Sequence, residues 1–268
     1  MFDAGDVLLP PPPRRPTLPG TVIVRPAFDD LIDAILADML LQAQSCVRAF
    51  GDFHLAISAA EQMEPVLIRL MLDPLYRSLP WKRTHLWTAD DCVVSVEDDR
   101  SRAKRLREIL VEHSDIPIDQ VHGIAVTADD PGGEYQDELR ETLAWREKGQ
   151  DRLDYALLSL GGGGPSSAAL LKHPSTIAPD PGELVLRRPW KDDAGLAWYG
   201  LSPRMLSATR LIAVVAAGDD ARPAIADLEA GHRTGKHAGS IRPIGGELRW
   251  YLDQPACPDE TPADGAPR

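Results

Sequence analysis

The stretch Leu157-Leu158-Ser159-Leu160-Gly161-Gly162-Gly163-Gly164-Pro165-Ser166-Ser167-Ala168-Ala169-Leu170-Leu171 runs from an apolar strand into four glycines and then into small, helix-compatible residues. Glycines after a strand let the backbone turn with positive φ and approach a ligand closely, and a helix starting behind them offers unpaired N–H groups to an anion. The loop resembles an active-site turn without a catalyst, because no side chain from Gly161 to Ala169 can act as a base near pH 7.

Working outward, strand-like and helix-like runs alternate. Thr21 to Arg25 reads as a strand, Phe28 to Ala49 as a helix with apolar residues at helical spacing, Phe53 to Ile57 as a strand and Glu64 to Met71 as a helix. Further strands are expected at His85 to Thr88, Tyr155 to Leu160, Thr209 to Ala216 and Arg249 to Leu252. Further helices are expected at Arg100 to Glu112, Gly133 to Arg146, Ser166 to Leu171 and Ala221 to Ala230. This alternation predicts a three-layer α/β/α fold with a mostly parallel, Rossmann-like sheet. Ligands of such sheets bind at the carboxyl ends of strands, where Ser58, Thr88 and Gly161 fall.

The chain of 268 residues, 43% of them hydrophobic, is long enough to bury a full core. A formal net charge of −12 argues against a general nucleic-acid or anionic-membrane surface. Cys46, Cys92 and Cys257 are widely spaced and lack a Cys-x-x-Cys pattern, which indicates neither a disulfide framework nor a zinc site and fits a reducing cytoplasm. No charged start precedes an apolar core at the N-terminus, and no run approaches the roughly 20 apolar residues of a membrane span. Residues 1–20, with Leu9-Pro10-Pro11-Pro12-Pro13-Arg14-Arg15-Pro16, are expected to form a disordered proline-rich leader, and residues 257–268 a disordered tail. One α/β domain is expected over 21–256, with His173 to Trp198 as a long surface excursion rich in Pro, Gly and charge.

Five segments resemble the 6-phosphogluconolactonase family, which shares its fold with glucosamine-6-phosphate isomerase/deaminase. The glycine loop stands where the family reads Leu-Gly-Met-Gly-Pro-Asp-Gly-His-Thr-Ala-Ser-Leu-Phe, after a strand start similar to Leu153-Asp154-Tyr155-Ala156. Phe53 to Pro65 stands at the strand running into Ser-Gly-Gly-Ser-Thr-Pro, and Ala89-Asp90-Asp91-Cys92-Val93 at Asp-Glu-Arg-Cys-Val, with Ser101-Arg102 in place of a Ser-Asn pair. Val121-His122-Gly123-Ile124 with Glu134-Tyr135 matches the segment before a Tyr-Glu helix, and Ile241 to Asp253 reads almost as the closing strand. The resemblance implies hydrolysis of a 6-phosphosugar lactone in carbohydrate metabolism by a base-activated water, with no cofactor and with cationic or backbone groups holding the phosphate.

The chain departs from the family at those positions. The family histidine falls on Pro165, and the phosphate-cradling glycines become Ala59 and Ala60, whose Cβ atoms obstruct close backbone approach. Asp-Glu-Arg becomes Ala89-Asp90-Asp91, an anion in place of a cation. An arginine falls on Trp198 and a lysine on Ala221, although the adjacent Arg222 offers a charge from a shifted position.

Each candidate carries a plainer alternative. Gly161 to Gly164 either cradle an anion or make a simple turn, with Ser166 and Ser167 as helix caps. Asp90 and Asp91 either serve as a base or repel a phosphate or, as expected of ionised side chains, form an exposed loop pair. Arg100, Arg102, Lys104, Arg105 and Arg107 read as a solvated helix. His54 and His85 are expected to pack rather than ligate, and Trp198 and Tyr199 either line the pocket or pack.

Three functions follow. The first is a 6-phosphogluconolactonase-like protein with a degenerate catalytic site that retains weak sugar-phosphate or anion binding. The second is an active lactonase, or related sugar-phosphate hydrolase or isomerase, using relocated groups such as Asp90, Asp91 or His173. The third is a non-enzymatic interaction module whose protein partner the residues do not identify. The chemistry favours the first.

Overall fold

The computed structural model describes residues 14–149, 151–161, 182–187, 195–234 and 241–258. Seven strands form one parallel sheet: β1 (Thr21–Arg25), β2 (Phe53–Ile57), β3 (Thr84–Thr88), β5 (Val121–His122), β6 (Tyr155–Ser159), β9 (Leu211–Ala216) and β10 (Glu247–Asp253). Their order is β1-β10-β9-β6-β2-β3-β5. From the centre the chain builds outward through β2, β3 and β5 on one side and through β6, β9 and β10 on the other. The direction therefore reverses between β2 and β6, and a reversal of this kind opens a crevice at the carboxyl ends of the two strands.

The central strands β2, β6 and β9 are buried along their whole length, as apolar runs covered on both faces should be. On one face Phe53, Leu55, Ile57, Tyr155 and Leu157 pack under α1 (Phe28–Phe50), α2 (Glu64–Leu72) and α3 (Arg102–Ile109). Helix α1 buries Leu31, Ile32, Ile35, Leu36, Met39 and Ala43 at three- and four-residue spacing, and Gly51 at φ +92° ends it by donating to the Val47 carbonyl. On the other face Ala56, Trp87, Ala156, Leu158 and Trp250 pack against α4 (Pro131–Leu143), α5 (Pro203–Ala208) and α6 (Arg222–Arg233). The three-layer α/β/α expectation is met. The helix expected at Ser166 to Leu171 lies outside the described residues.

A second, antiparallel sheet joins β4 (Asp90–Cys92), β8 (Trp198–Leu201) and β7 (Val185–Arg187) in the order β4-β8-β7. This corrects two expectations. Asp90 and Asp91 are not an exposed loop pair but 1% exposed strand residues, and the supposed surface excursion supplies a strand at Val185–Arg187 and ends in buried Trp198. Three or four residues are too few to show a period, and β4 pairs with a strand more than a hundred residues away in sequence, as in Asp91↔Tyr199.

The ordered unit also extends past both expected boundaries. Arg14 Nη2 donates to both Glu229 carboxylate oxygens at 2.8 Å, Thr17 N–H donates to the same group, and Trp250 Nε1 donates to the Pro19 carbonyl. Leu18 and Cys257 are buried. Tertiary contacts to α6 and β10 thus order residues 14–20, which composition alone assigned to the leader. Gly20 takes φ +89°, and a Cβ there would lie 2.3 Å from the Leu248 carbonyl oxygen. Gly20→Ala is expected to cost about 2 kcal/mol; an unchanged urea midpoint would show that this junction is not held as described.

Candidate functional site

Strand β2 ends at Ile57, and Ser58 follows it into the crevice, its N–H donating to the Leu157 carbonyl of β6. Strand β3 ends at Thr88, one Ala89 before β4. The Ser58 hydroxyl donates to Asp90 Oδ1 at 2.8 Å. Arg102, at the start of α3, reaches back to both, donating from Nη1 to Ser58 Oγ at 3.0 Å and making a short ion pair with Asp90 Oδ1. Its guanidinium lies 4.4 Å from the Trp198 ring centroid, a cation over an aromatic face. The structure therefore brings Ser58, Asp90 and Trp198 into one buried cluster around Arg102.

Arg102 is the residue that sequence reasoning missed. Helix α3, with its row of basic residues, is not solvated on every side: Arg102 is 4% exposed, because its first turn packs against β4. Its position beside Ser101, where the family has a Ser-Asn pair, was the available signal. The cation absent from Asp90 and Asp91 in the sequence is restored from another element.

Asp91 has a different task. Its carboxylate accepts the N–H groups of Cys92 and Arg102 at 2.8 Å and of Ala103 at 3.0 Å, plus the Ser101 hydroxyl at 3.2 Å. Burial pushes this carboxyl up while those backbone donors pull it down, and burial prevails. Asp91 thus takes up donors at the start of α3 and holds Arg102 in place.

Ala59 and Ala60 are both buried. The Ala59 carbonyl accepts from Arg105 Nη1 at 2.8 Å, and Arg105 Nε pairs with Glu64 at 2.7 Å. Glu61 and Glu64 stand at the beginning of the helical segment that follows, where their negative charge opposes a bound anion. Gly161 holds φ +108°, and a Cβ on it would approach the Ala221 Cβ to 3.3 Å. Arg222 is not in the Ser58–Arg102 cluster: it pairs with Asp219 and donates to the Pro255 carbonyl at 2.8 Å. Gly162, Gly163, Gly164, Pro165, Ser166 and His173 lie outside the described residues.

Three histidines stack across neighbouring strands, with His54 and His85 toward the amino ends of β2 and β3 and His122 at the end of β5; His54 and His122 are buried and His85 half-buried. His54 stacks on His85 at 4.5 Å and His85 on His122 at 5.3 Å. Trp87 Nε1 donates to His54 Nδ1 at 3.1 Å, which leaves the His54 proton on Nε2, 3.5 Å from Asp52. Glu138 accepts from His122 Nδ1 at 2.6 Å, and His122 Nε2 lies at hydrogen-bond distance, 3.0 Å, from His85 Nδ1. Donor atoms of Asp52, His54 and His85 lie within 4.8 Å of one another, but a metal there would need the His54 Nε2 that carries the proton. This donor set does not fit a metal. The three cysteines are buried and unpaired, and burial raises Cys46 and Cys92 to about 12 and Cys257 to about 11, which leaves little thiolate near neutral pH.

Comparison with known proteins places this geometry in a family. The model of glucosamine-6-phosphate isomerases/6-phosphogluconolactonase matches residues 26–250. The chain belongs to this family. The human GDH/6PGL endoplasmic bifunctional protein is 26% identical over 238 residues, covering 85% of this chain but only 29% of that protein. A Synechocystis 6-phosphogluconolactonase is 25% identical over 231 residues, covering 84% of this chain and 92% of its own length. The structure of Thermotoga maritima 6-phosphogluconolactonase superposes with a TM-score of 0.70 at 16% identity over 87% of this chain and 99% of that one, a likeness of fold. In this chain the Ser58–Asp90–Arg102 cluster stands where β2 and β3 end and α3 begins. Among the described residues no helix is long and apolar enough to cross a membrane.

Proposed function

We propose that this chain is a 6-phosphogluconolactonase-like protein that takes a phosphorylated sugar weakly at the carboxyl ends of β2 and β6 and has lost most of the family's lactone hydrolysis. The observation that carries this reading is the state of the Arg102 cluster. The buried cation is already matched by Asp90 and Ser58 and covered by Trp198, and Asp91 is occupied by four donors. Neither carboxylate is left as a ready base, which weighs against relocated catalysis through Asp90 or Asp91. His54 and His85 sit toward the amino ends of β2 and β3, His122 at the end of β5 is tied to Glu138, and the glycine loop has no titratable group to activate water.

Hydrolysis requires water to add to the lactone carbonyl as it loses a proton, and the ring C–O bond then to break. Loss of a general base costs about 10²–10⁴-fold and of a charge-stabilising donor roughly 10²–10³-fold, without simple multiplication. The expected result with freshly prepared 6-phosphogluconolactone is a rate at or barely above spontaneous opening. Turnover typical of an enzyme, of order 1–10³ s⁻¹, would overturn the degenerate reading. One domain in a reducing compartment such as the cytoplasm, with no nucleic-acid partner, accords with the net charge of −12 and the three unpaired thiols.

A further inference from the structure

We infer that Asp90 is the residue that sets the affinity of the strand-end site for phosphoryl groups, acting as an internal anion that competes with the ligand for Arg102. The inference rests on the strand-end binding site proposed above and adds the reason for its weakness.

Asp90 is 1% exposed and Arg102 4% exposed, so the pair lies where water screens charge poorly and a carboxylate–guanidinium attraction is strong. Trp198 lies against the guanidinium at 4.4 Å. A cation stacked on a ring in this way bonds through its N–H groups, and its Nη1 is shared by Asp90 and Ser58. A phosphoryl group offers the same chemistry as Asp90, with more charge and more acceptor oxygens. It would have to displace Asp90 and leave that carboxylate buried without its cation.

The neighbouring charge follows the same pattern. Arg105 is tied to Glu64 and to the Ala59 carbonyl, and Asp91 already accepts the Arg102 and Ala103 N–H groups at the start of α3. Arg105 and Asp91 thus already have internal partners, and Asp90 is the carboxylate in direct ion-pair contact with Arg102, so its removal turns Arg102 toward an outside anion. Asn at this position keeps an oxygen to accept the Ser58 hydroxyl while removing the charge.

The test is calorimetric titration of the full chain and its Asp90→Asn variant with glucose 6-phosphate, inorganic phosphate and glucose. Asp90→Asn is expected to bind glucose 6-phosphate and phosphate at least tenfold more tightly than the wild type, to leave glucose unchanged, and to lose the gain when Arg102→Leu is added. Unchanged or weaker phosphate binding by Asp90→Asn, with the wild type binding measurably, would overturn the role of Asp90 and leave the strand-end site standing. Failure of every form to bind either phosphate would overturn both. Should Asp90→Asn fold poorly for loss of its buried ion pair with Arg102, recovery of its thermal melt by phosphate beyond that given by chloride of equal ionic strength supports the inference, and equal recovery by chloride overturns it.

Discussion

Asp154→Asn is expected to destabilise the protein by about 3–5 kcal/mol, the cost of breaking a buried carboxylate–arginine network. Asp154 is fully buried at the start of β6. Its Oδ2 accepts the His54 N–H at 2.8 Å and Arg146 Nη2 at 2.7 Å, while Oδ1 accepts Arg146 Nη1 and Arg210 Nε, each at 2.9 Å. One carboxylate thereby joins the start of β2, the segment after α4 and the approach to β9. Asparagine has nearly the same shape, but its amide nitrogen would face donors where an oxygen now accepts, and Arg210 would lose its charge partner at Asp154. Urea denaturation measures the loss, and a change below about 1 kcal/mol would show that these arginines are satisfied elsewhere. Because Asp154 lies at the end of the sheet away from Ser58 and Arg102, the folded fraction of the variant is expected to keep the wild-type affinity for phosphate.

Lowering the pH from about 6.5 toward 4 is expected to destabilise the fold through the stacked histidines. Burial, reinforced by His54 and His122, pushes His85 down from 6.5 to about 4, and burial likewise lowers His54 despite Asp52 beside it. A histidine whose folded pKa is depressed favours folding only while neutral. Its contribution is therefore complete above the unfolded value, erodes as pH falls through the window, and is exhausted below the folded value. For partly exposed His85 this amounts to about 2 kcal/mol after allowance for screening. The charges facing it are Asp52, which opposes the shift, and Arg146, which reinforces it, with His122 linked onward to Glu138. Asp91 acts with the opposite sign, since acid relieves the cost of its buried charge, whereas Asp52, held well below the usual carboxylate range, loses its contribution only beneath 3.8. Thermal melts across the window should show a flatter pH profile for His85→Gln than for the wild type. Parallel profiles would assign the acid sensitivity to other groups.

These two predictions concern the end of the sheet opposite the crevice, and they show how unevenly the sequence reveals this protein. The Leu153-Asp154 strand start was legible as a family match, but the two arginines that give Asp154 its role come from loops 8 residues before and 56 residues after it. His54 and His85 were read as packing, which the burial of His54 upholds, yet their order across neighbouring strands, His54 opposite His85, depends on sheet register.

The sequence by itself determined the three-layer fold, most of the central strands and long helices, and the placement of Ser58 and Gly161 after strands. These follow from local periodicity and from glycine chemistry, which any short window of residues displays. Tertiary structure alone decided that Asp90 and Asp91 are buried and part in function, that Arg102 supplies the missing cation, that Trp198 covers it and that Arg222 is turned elsewhere. Charge compensation depends on which distant element packs against a strand end, and a buried ion pair leaves no periodic trace along the chain.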